Sequence, residues 1–390
     1  MKNVRQIYIK LLTYVSAVLI GYASLLFFLG YPGKGLLEDR ASRDVIHRRN
    51  FMVRYLSSYP SSADLFGTED VQYTAEWTMG TYAMATYALT NIAMLEPNTA
   101  QESSRIIGTW IEFCLDEKIT EFDKVAWSEN PLDEKVLQGD RGHLGYYGHL
   151  NLMLGCYALL NNDGRFEQLH TKLSAAIARR MAKYPHRHIE TYPYETYPPD
   201  NTVAAASLRV ADMTLGTNYH DLVDEWVQQS KKIEWQPYGL IVFQIESETG
   251  QPLQTCRGAN IAWNSFFLPL VDRDYAKIQF ERFKKNMLRR FAGFAAFKEY
   301  PKGDLFRMDC DTGPVIMGLG GTATGFSVAG ARWTKDQKLL TELLRSIEMM
   351  GVSVSKGKER RYLLGPAVAD AIMLAVKTAC EWKPLWKSEK

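Results

Sequence analysis

The chain has 390 residues, 46% of them hydrophobic and 23% charged, with a formal net charge of +2. That balance supports a large packed core and excludes a disordered or low-complexity chain. It also offers no strongly basic face, so no nucleic-acid partner is expected.

The first predicted element is an uncharged run at residues 11–29, close to the length of a bilayer span. Lys2, Arg5 and Lys10 precede it, and no convincing cleavage site follows. Residues 1–50 are therefore read as an uncleaved membrane or apolar anchor with its linker. Residues 51–390 are read as one catalytic domain, because no Ser/Gly/Pro-rich or single-charge stretch divides them. The side of the membrane is undetermined. Lys34, Arg40, Arg43, Arg48 and Arg49 favour a cytoplasmic domain, whereas the short basic head favours export.

From there the apolar spacing is helical. Helices are predicted near residues 76–94, 103–115, 145–160, 166–183, 202–215 and 220–235. They continue near 260–270, 275–290, 313–331, 336–350 and 366–381, with a weak strand at 239–246. Helix pairs recur about every fifty residues, the mark of a repeat architecture. Alternate helices are apolar nearly all round, and those between them are amphipathic. The pattern predicts an all-α fold, an (α/α)6 barrel of six helical hairpins, with an open solenoid as the rival.

Polar clusters recur where the apolar helices start. A helix start offers free N–H groups and partial positive charge, and it can orient an anion or polar group. Candidate proton-transfer residues are Glu76, Asp140, His149, Asp200 and the pair Asp309 and Asp311. Two carboxylates two residues apart repel, which favours a retained proton on one of them. Candidate substrate-binding residues are Trp77, Tyr147, Tyr197, Asn201, Asn260 and Trp263, whose aromatic faces and polar tips suit a substrate of mixed character. Each has a plainer reading. Asp200, Asn201, Asp311 and Thr312 are good capping types, and His149 fits a satisfied core histidine.

Five cysteines, odd in number and without a CxxC pair, give no disulfide or zinc framework; Cys310 lies between Asp309 and Asp311. His186 and His188 lack a third ligand, so no metal is expected. Gly318-Leu319-Gly320-Gly321 has no following Lys-Ser/Thr and is read as close helix packing inside a helix.

Several segments carry a family resemblance. They are Gly148-His149-Leu150-Asn151-Leu152-Met153, Phe166-Glu167 with His170, and Pro199-Asp200-Asn201. Glu248 with Gly250, Ala262-Trp263, and Asp311 with Gly313 extend it. Over residues 127–331 the chain resembles the linalool dehydratase/isomerase family. The resemblance implies an (α/α)6 barrel, a ring-shaped homo-oligomer, and cofactor-free loss or migration of an alcohol. It places His149 on the family's active-site histidine. The family's two cysteines fall on Tyr197 and Ala206, and a tyrosine falls on Ala259. The scaffold is expected to be shared while the substrate differs from linalool.

Two enzymatic expectations follow. The first is an acid–base hydro-lyase or isomerase acting on another hydroxylated small molecule. The second is an inverting glycoside hydrolase acting on an envelope glycan, with two carboxylates set roughly 6.5–9.5 Å apart around a water. A third expectation is a membrane-tethered binding protein without catalysis.

Overall fold

The computed structural model describes residues 2–30, 33, 35–59, 71–302, 308–309 and 311–389. In chain order the helices are α1 (Lys2–Leu29), α2 (Arg43–Leu56), α3 (Val71–Leu95), α4 (Ala100–Cys114) and α5 (Glu117–Trp127). A single turn, α6 (Glu134–Leu137), leads to α7 (Leu144–Leu160), α8 (Glu167–Lys183), α9 (Pro198–Leu215) and α10 (His220–Lys232). The last are α11 (Gly258–Phe267), α12 (Arg273–Met287), α13 (Gly321–Trp333), α14 (Gln337–Gly351) and α15 (Ala367–Thr378). The all-α expectation holds.

Local chemistry sets many of the ends. Ser42, Asp116, Asp272 and Asp336 cap α2, α5, α12 and α14 by accepting from Val45, Lys118, Tyr275 and Leu339 N–H groups. Pro198 and Pro199 suit the first turn of α9, and Gly216 ends it in the left-handed region at φ 69°.

Burial then sorts the helices into two sets. Residues 81–93 of α3 and nearly all of α7 are buried on every side. In α14 the buried residues Leu339, Leu340, Leu343, Leu344 and Ile347 form one stripe, as amphipathic spacing requires. The apolar helices pack in the order α3, α7, α9, α11, α13, α15, and α15 packs back on α3. An open solenoid lacks that last contact. Outside them, α4 packs on α3 and α7, α8 on α7 and α9, and α10 on α9. Helix α12 packs on α11, α14 on α13, and α2 on α15 and α3.

Several expectations need correction. The predicted strand at 239–246 is only part of the strand content. Short antiparallel hairpins pair Glu234–Trp235 with Leu240–Ile241 and Gln244–Ile245 with Pro252–Gln254. Others pair Leu288–Phe291 with Phe294–Phe297, Val315–Ile316 with Leu319–Gly320, and Ser353–Lys356 with Glu359–Tyr362. Strands of two to four residues are too short to show a period of two. The helix predicted over 313–331 begins only at Gly321. Met317 and Gly318 take positive φ (52° and 79°) and turn the chain back, so the glycine run forms a hairpin turn. Asp311 and Thr312 consequently precede a hairpin and are not caps of α13. The predicted anchor run lies in α1, and residues 13–21 are exposed. Among the described residues no helix is long and apolar enough to cross a membrane.

A buried ionic clasp ties the two ends of the domain together. Arg48 of α2 is 0% exposed and reaches Asp44 (3.2 Å), Glu348 (3.1 Å) and Asp370 (3.4 Å). Lys377 of α15 reaches Asp44 (2.8 Å) and Glu348 (3.6 Å). The clasp joins α2, α14 and α15 beside the Ser353–Tyr362 hairpin, where Arg48 also donates to Ser353 Oγ (2.5 Å).

Candidate active site

The ring of apolar helices keeps partly accessible side chains near its N-terminal ends, while most of each helix is buried. They include Glu76 and Trp77 on α3, His149 on α7, Asp200 on α9, Asn260 and Trp263 on α11, and Thr322 on α13. We take this accessible surface among otherwise buried helices as the lining of the candidate cavity.

Three carboxylates there, Glu76, Asp200 and Asp311, lie close enough to feel one another's charge. The Glu76 carboxyl is pushed up to about 8, first by burial; Tyr192 opposes the shift, and the charges of Asp311, Asp200 and Asp123 add to it. Burial pushes Asp200 up to about 7, against a hydrogen bond from Thr191 Oγ1 (2.8 Å), and the charge of Asp311 adds to the rise. Asp200 therefore takes a side-chain donor rather than serving as a plain cap. The Tyr192 hydroxyl meets no partner at strict hydrogen-bond geometry, yet it lies near enough to favour the ionised Glu76. Tyr197 stands at the same rim, donating to Glu195 (3.0 Å), its ring 5.0 Å from Phe243. Burial and the charges of Glu195, Asp200 and Asp311 hold its phenol high.

Below the carboxylates the wall is aromatic. His149 and Trp263 meet edge to face at 5.5 Å, and Trp263 packs on Phe267 (4.8 Å) and Phe326 (5.2 Å). Tyr87 Oη lies 2.9 Å from His149 Nδ1, and its alternative acceptor, the His149 carbonyl, is at 3.4 Å. A buried phenol donates to the better acceptor, which leaves the imidazole proton on Nε2. Burial alone pushes His149 down to about 4. A neutral donor fits His149 better than the acid–base role expected from sequence.

Other expected site residues are placed elsewhere. Asp140 is 61% exposed and sits 3.9 and 3.8 Å from Arg179 and Lys183 on the surface. Tyr147 is buried away from the cavity, donating to the Pro131 carbonyl (2.5 Å) under the Arg180 guanidinium. Asp309 forms a two-pronged ion pair with Arg257 (2.8 and 2.9 Å) and accepts the N–H groups of Asp311 and Thr312. Those bonds commit its oxygens to shaping the loop that carries Asp311, so the predicted repulsion between the two is relieved by Arg257. Cys310 lies outside the described residues.

Asn201 is also structural. Its Oδ1 accepts from Ile189 N–H (2.7 Å), and its Nδ2 donates to the Ile189 and Tyr197 carbonyls (both 3.0 Å). It holds shut the loop that presents Thr191 and Tyr192. Asn201→Ala is expected to cost about 2–4 kcal/mol in urea unfolding, because buried backbone groups lose their partners. A loss within ±0.5 kcal/mol rules that role out.

Tyr87 and Thr191 were not singled out by sequence, whereas Tyr192 stands in the alternation Tyr192, Tyr194, Tyr197 that hints at a substrate-facing rim. Tyr87 is one apolar-looking residue in an apolar helix and gave none. Among the described residues no group of three His, Cys, Asp or Glu side chains is arranged to hold a metal ion.

The family model for linalool dehydratase/isomerase matches residues 144–362, more than half of the chain. The chain belongs to the linalool dehydratase/isomerase family. The matched span includes His149, Asp200, Asn260, Trp263 and Asp311. Glu76 and Trp77 on α3, with Tyr87 and Asp123 behind them, lie before it.

Proposed function

We propose that the protein is a cofactor-free acid–base enzyme of the dehydratase/isomerase type, acting on a hydroxylated substrate other than linalool. We read the closed order of helices as the six-hairpin (α/α)6 barrel, with the site at the N-terminal ends of its inner ring. The observation that carries the function is the carboxyl trio Glu76, Asp200 and Asp311 around one cavity, with Glu76 pushed up to about 8. A carboxyl that keeps its proton at neutral pH is a general acid in waiting.

In this reading Glu76 gives its proton to the substrate hydroxyl, which leaves as water. The ionised partner, Asp200 or Asp311, takes a proton from the neighbouring carbon, and the electron pair closes a double bond. Addition of water at the far end of an allyl unit, in reverse, yields the isomer. Trp77 and Trp263 offer faces to the developing cation. His149 offers its Nε2–H to a substrate oxygen. Replacement of the two family cysteines by Tyr197 and Ala206 argues for a substrate other than linalool.

The test is a panel of tertiary and allylic alcohols, followed by mass spectrometry in H2(18)O. The expected result is loss of water or hydroxyl migration, abolished in Asp200→Asn. Release of sugar from glycan oligomers, with no reaction of the alcohols, overturns this reading in favour of hydrolysis.

A further inference from the structure

A second cluster of titratable groups lies directly behind the site. His143 is 0% exposed, and each of its ring nitrogens faces a carboxylate: Nδ1 meets Asp123 Oδ2 at 2.6 Å and Nε2 meets Glu129 Oε1 at 3.1 Å. A neutral imidazole has one N–H, so bridging two carboxylates takes one further proton within the trio. The trio is graded in exposure. Asp123 is fully buried, whereas the Glu129 side chain is 25% exposed and meets Arg141 at 3.2 Å. Trp127 and Tyr147 flank the imidazole at 4.7 and 5.4 Å.

Two links join the trio to the site. First, α5, which carries Asp123, packs on α3, which carries Glu76, and the Asp123 charge is felt at both Glu76 and Tyr192. Asp123 Oδ1 is buried without a hydrogen-bond partner, and the Tyr192 hydroxyl lies beside Glu76. Second, the His143 segment lies against the irregular segment that leads to Tyr192. Leu144 N–H donates to the Glu190 carbonyl (3.3 Å), and a Cβ on Gly142 would fall 2.0 Å from that oxygen. His143 itself takes φ 54°, in the left-handed region that non-glycine residues rarely adopt. Such strain concentrates where a side chain is held for a purpose.

We propose that Glu129, His143 and Asp123 form the proton route between solvent and the Glu76 acid, a proposal that rests on the acid role given to Glu76 above. Each group takes one proton and passes one on. Glu129 receives a proton from solvent and protonates Nε2 as Nδ1 releases its own to Asp123, Asp123 hands one past Tyr192 to Glu76 after each turnover, and rotation of the imidazole turns its remaining N–H back toward Asp123 to reset the relay. These are positioning and relay residues that act through Glu76 without touching substrate.

The test needs no substrate. The infrared carboxylic C=O band that disappears in Glu76→Gln identifies the Glu76 proton, and its shift on transfer to D2O reports exchange. In Glu129→Gln and His143→Gln the exchange half-time is expected to lengthen at least tenfold, with Asp140→Asn unchanged. Added imidazole is expected to restore the rate in His143→Gly, which a purely structural loss does not allow. Should the His143 variants not fold, the Glu129 variant at the exposed end decides alone. A Glu76 band that exchanges at the wild-type rate in the variants overturns the route and leaves the acid role standing. Absence of any such band in the wild-type protein overturns both.

Discussion

Glu76→Gln is expected to lower turnover by roughly 10²–10⁴-fold, the span of a general acid. Gln fills the same space and cannot release a proton, so the fold is expected to remain. The pH dependence gives a second reading. Burial, with the charges of Asp311 and Asp200 behind it, pushes Glu76 up to about 8 against the pull of Tyr192. Its acid form is full near pH 6 and is lost as pH rises through about 8, so activity should fall on that limb. The sign for stability follows from the same shift. The unfolded carboxyl ionises near its ordinary value of 4.5, whereas the folded one holds its proton to about 8. Stability from this position is therefore full below about 4.5 and is lost as pH rises toward 8. Gln has no charge to gain, so its melting temperature should improve relative to wild type between pH 5 and pH 8. Equal differences at both pH values sink the protonated Glu76, and full turnover in the variant sinks its role as acid.

The largest expected loss of stability is at Arg48. Arg48→Met should cost about 3–5 kcal/mol, the scale for breaking a buried ion pair on one side only. Glu348 and Asp370 are then left buried with one cation fewer, and α2 loses its tie to α14 and α15. Urea unfolding measures it. A change under about 1 kcal/mol shows that Lys377 alone holds the clasp. Acid should bring the two proteins closer in stability. Burial raises Asp44 and Glu348, but the charges of Lys377 and Arg48 outweigh it and hold both below the usual carboxylate range. Their contribution is present above the ordinary values of 3.8 and 4.5 and is lost as pH falls below them. Wild type should therefore lose stability more steeply than Arg48→Met on acidification.

Part of the site was legible because helix starts are local. Asp200 and His149 stand near the starts of apolar helices, and that position alone brought them to notice. Tyr147 was misread although geometry was against it. At 100° per residue it lies about 200° round the helix from His149, on the opposite face. Asn201 follows Asp200 by one residue, and its amide turns to the loop instead of the cavity. Asp140 precedes α7 and faces the solvent side, where Arg179 and Lys183 meet it. The pair Asp309 and Asp311 looked equivalent in sequence. Arg257, distant in the chain, distinguishes them by pairing with Asp309.

By itself the sequence determined the alternation of apolar and amphipathic helices, the near-neutral charge and the positions where polar residues open helices. These are properties of periodicity and composition, which neighbouring residues fix among themselves. Only the tertiary structure decided that Tyr87 stands against His149, that Thr191 donates to Asp200, and that burial raises Glu76 and Asp200. Desolvation and Coulomb interaction depend on distance in space. Glu76, Asp200 and Asp311 are far apart along the chain and act on one another only after the helices have closed around them.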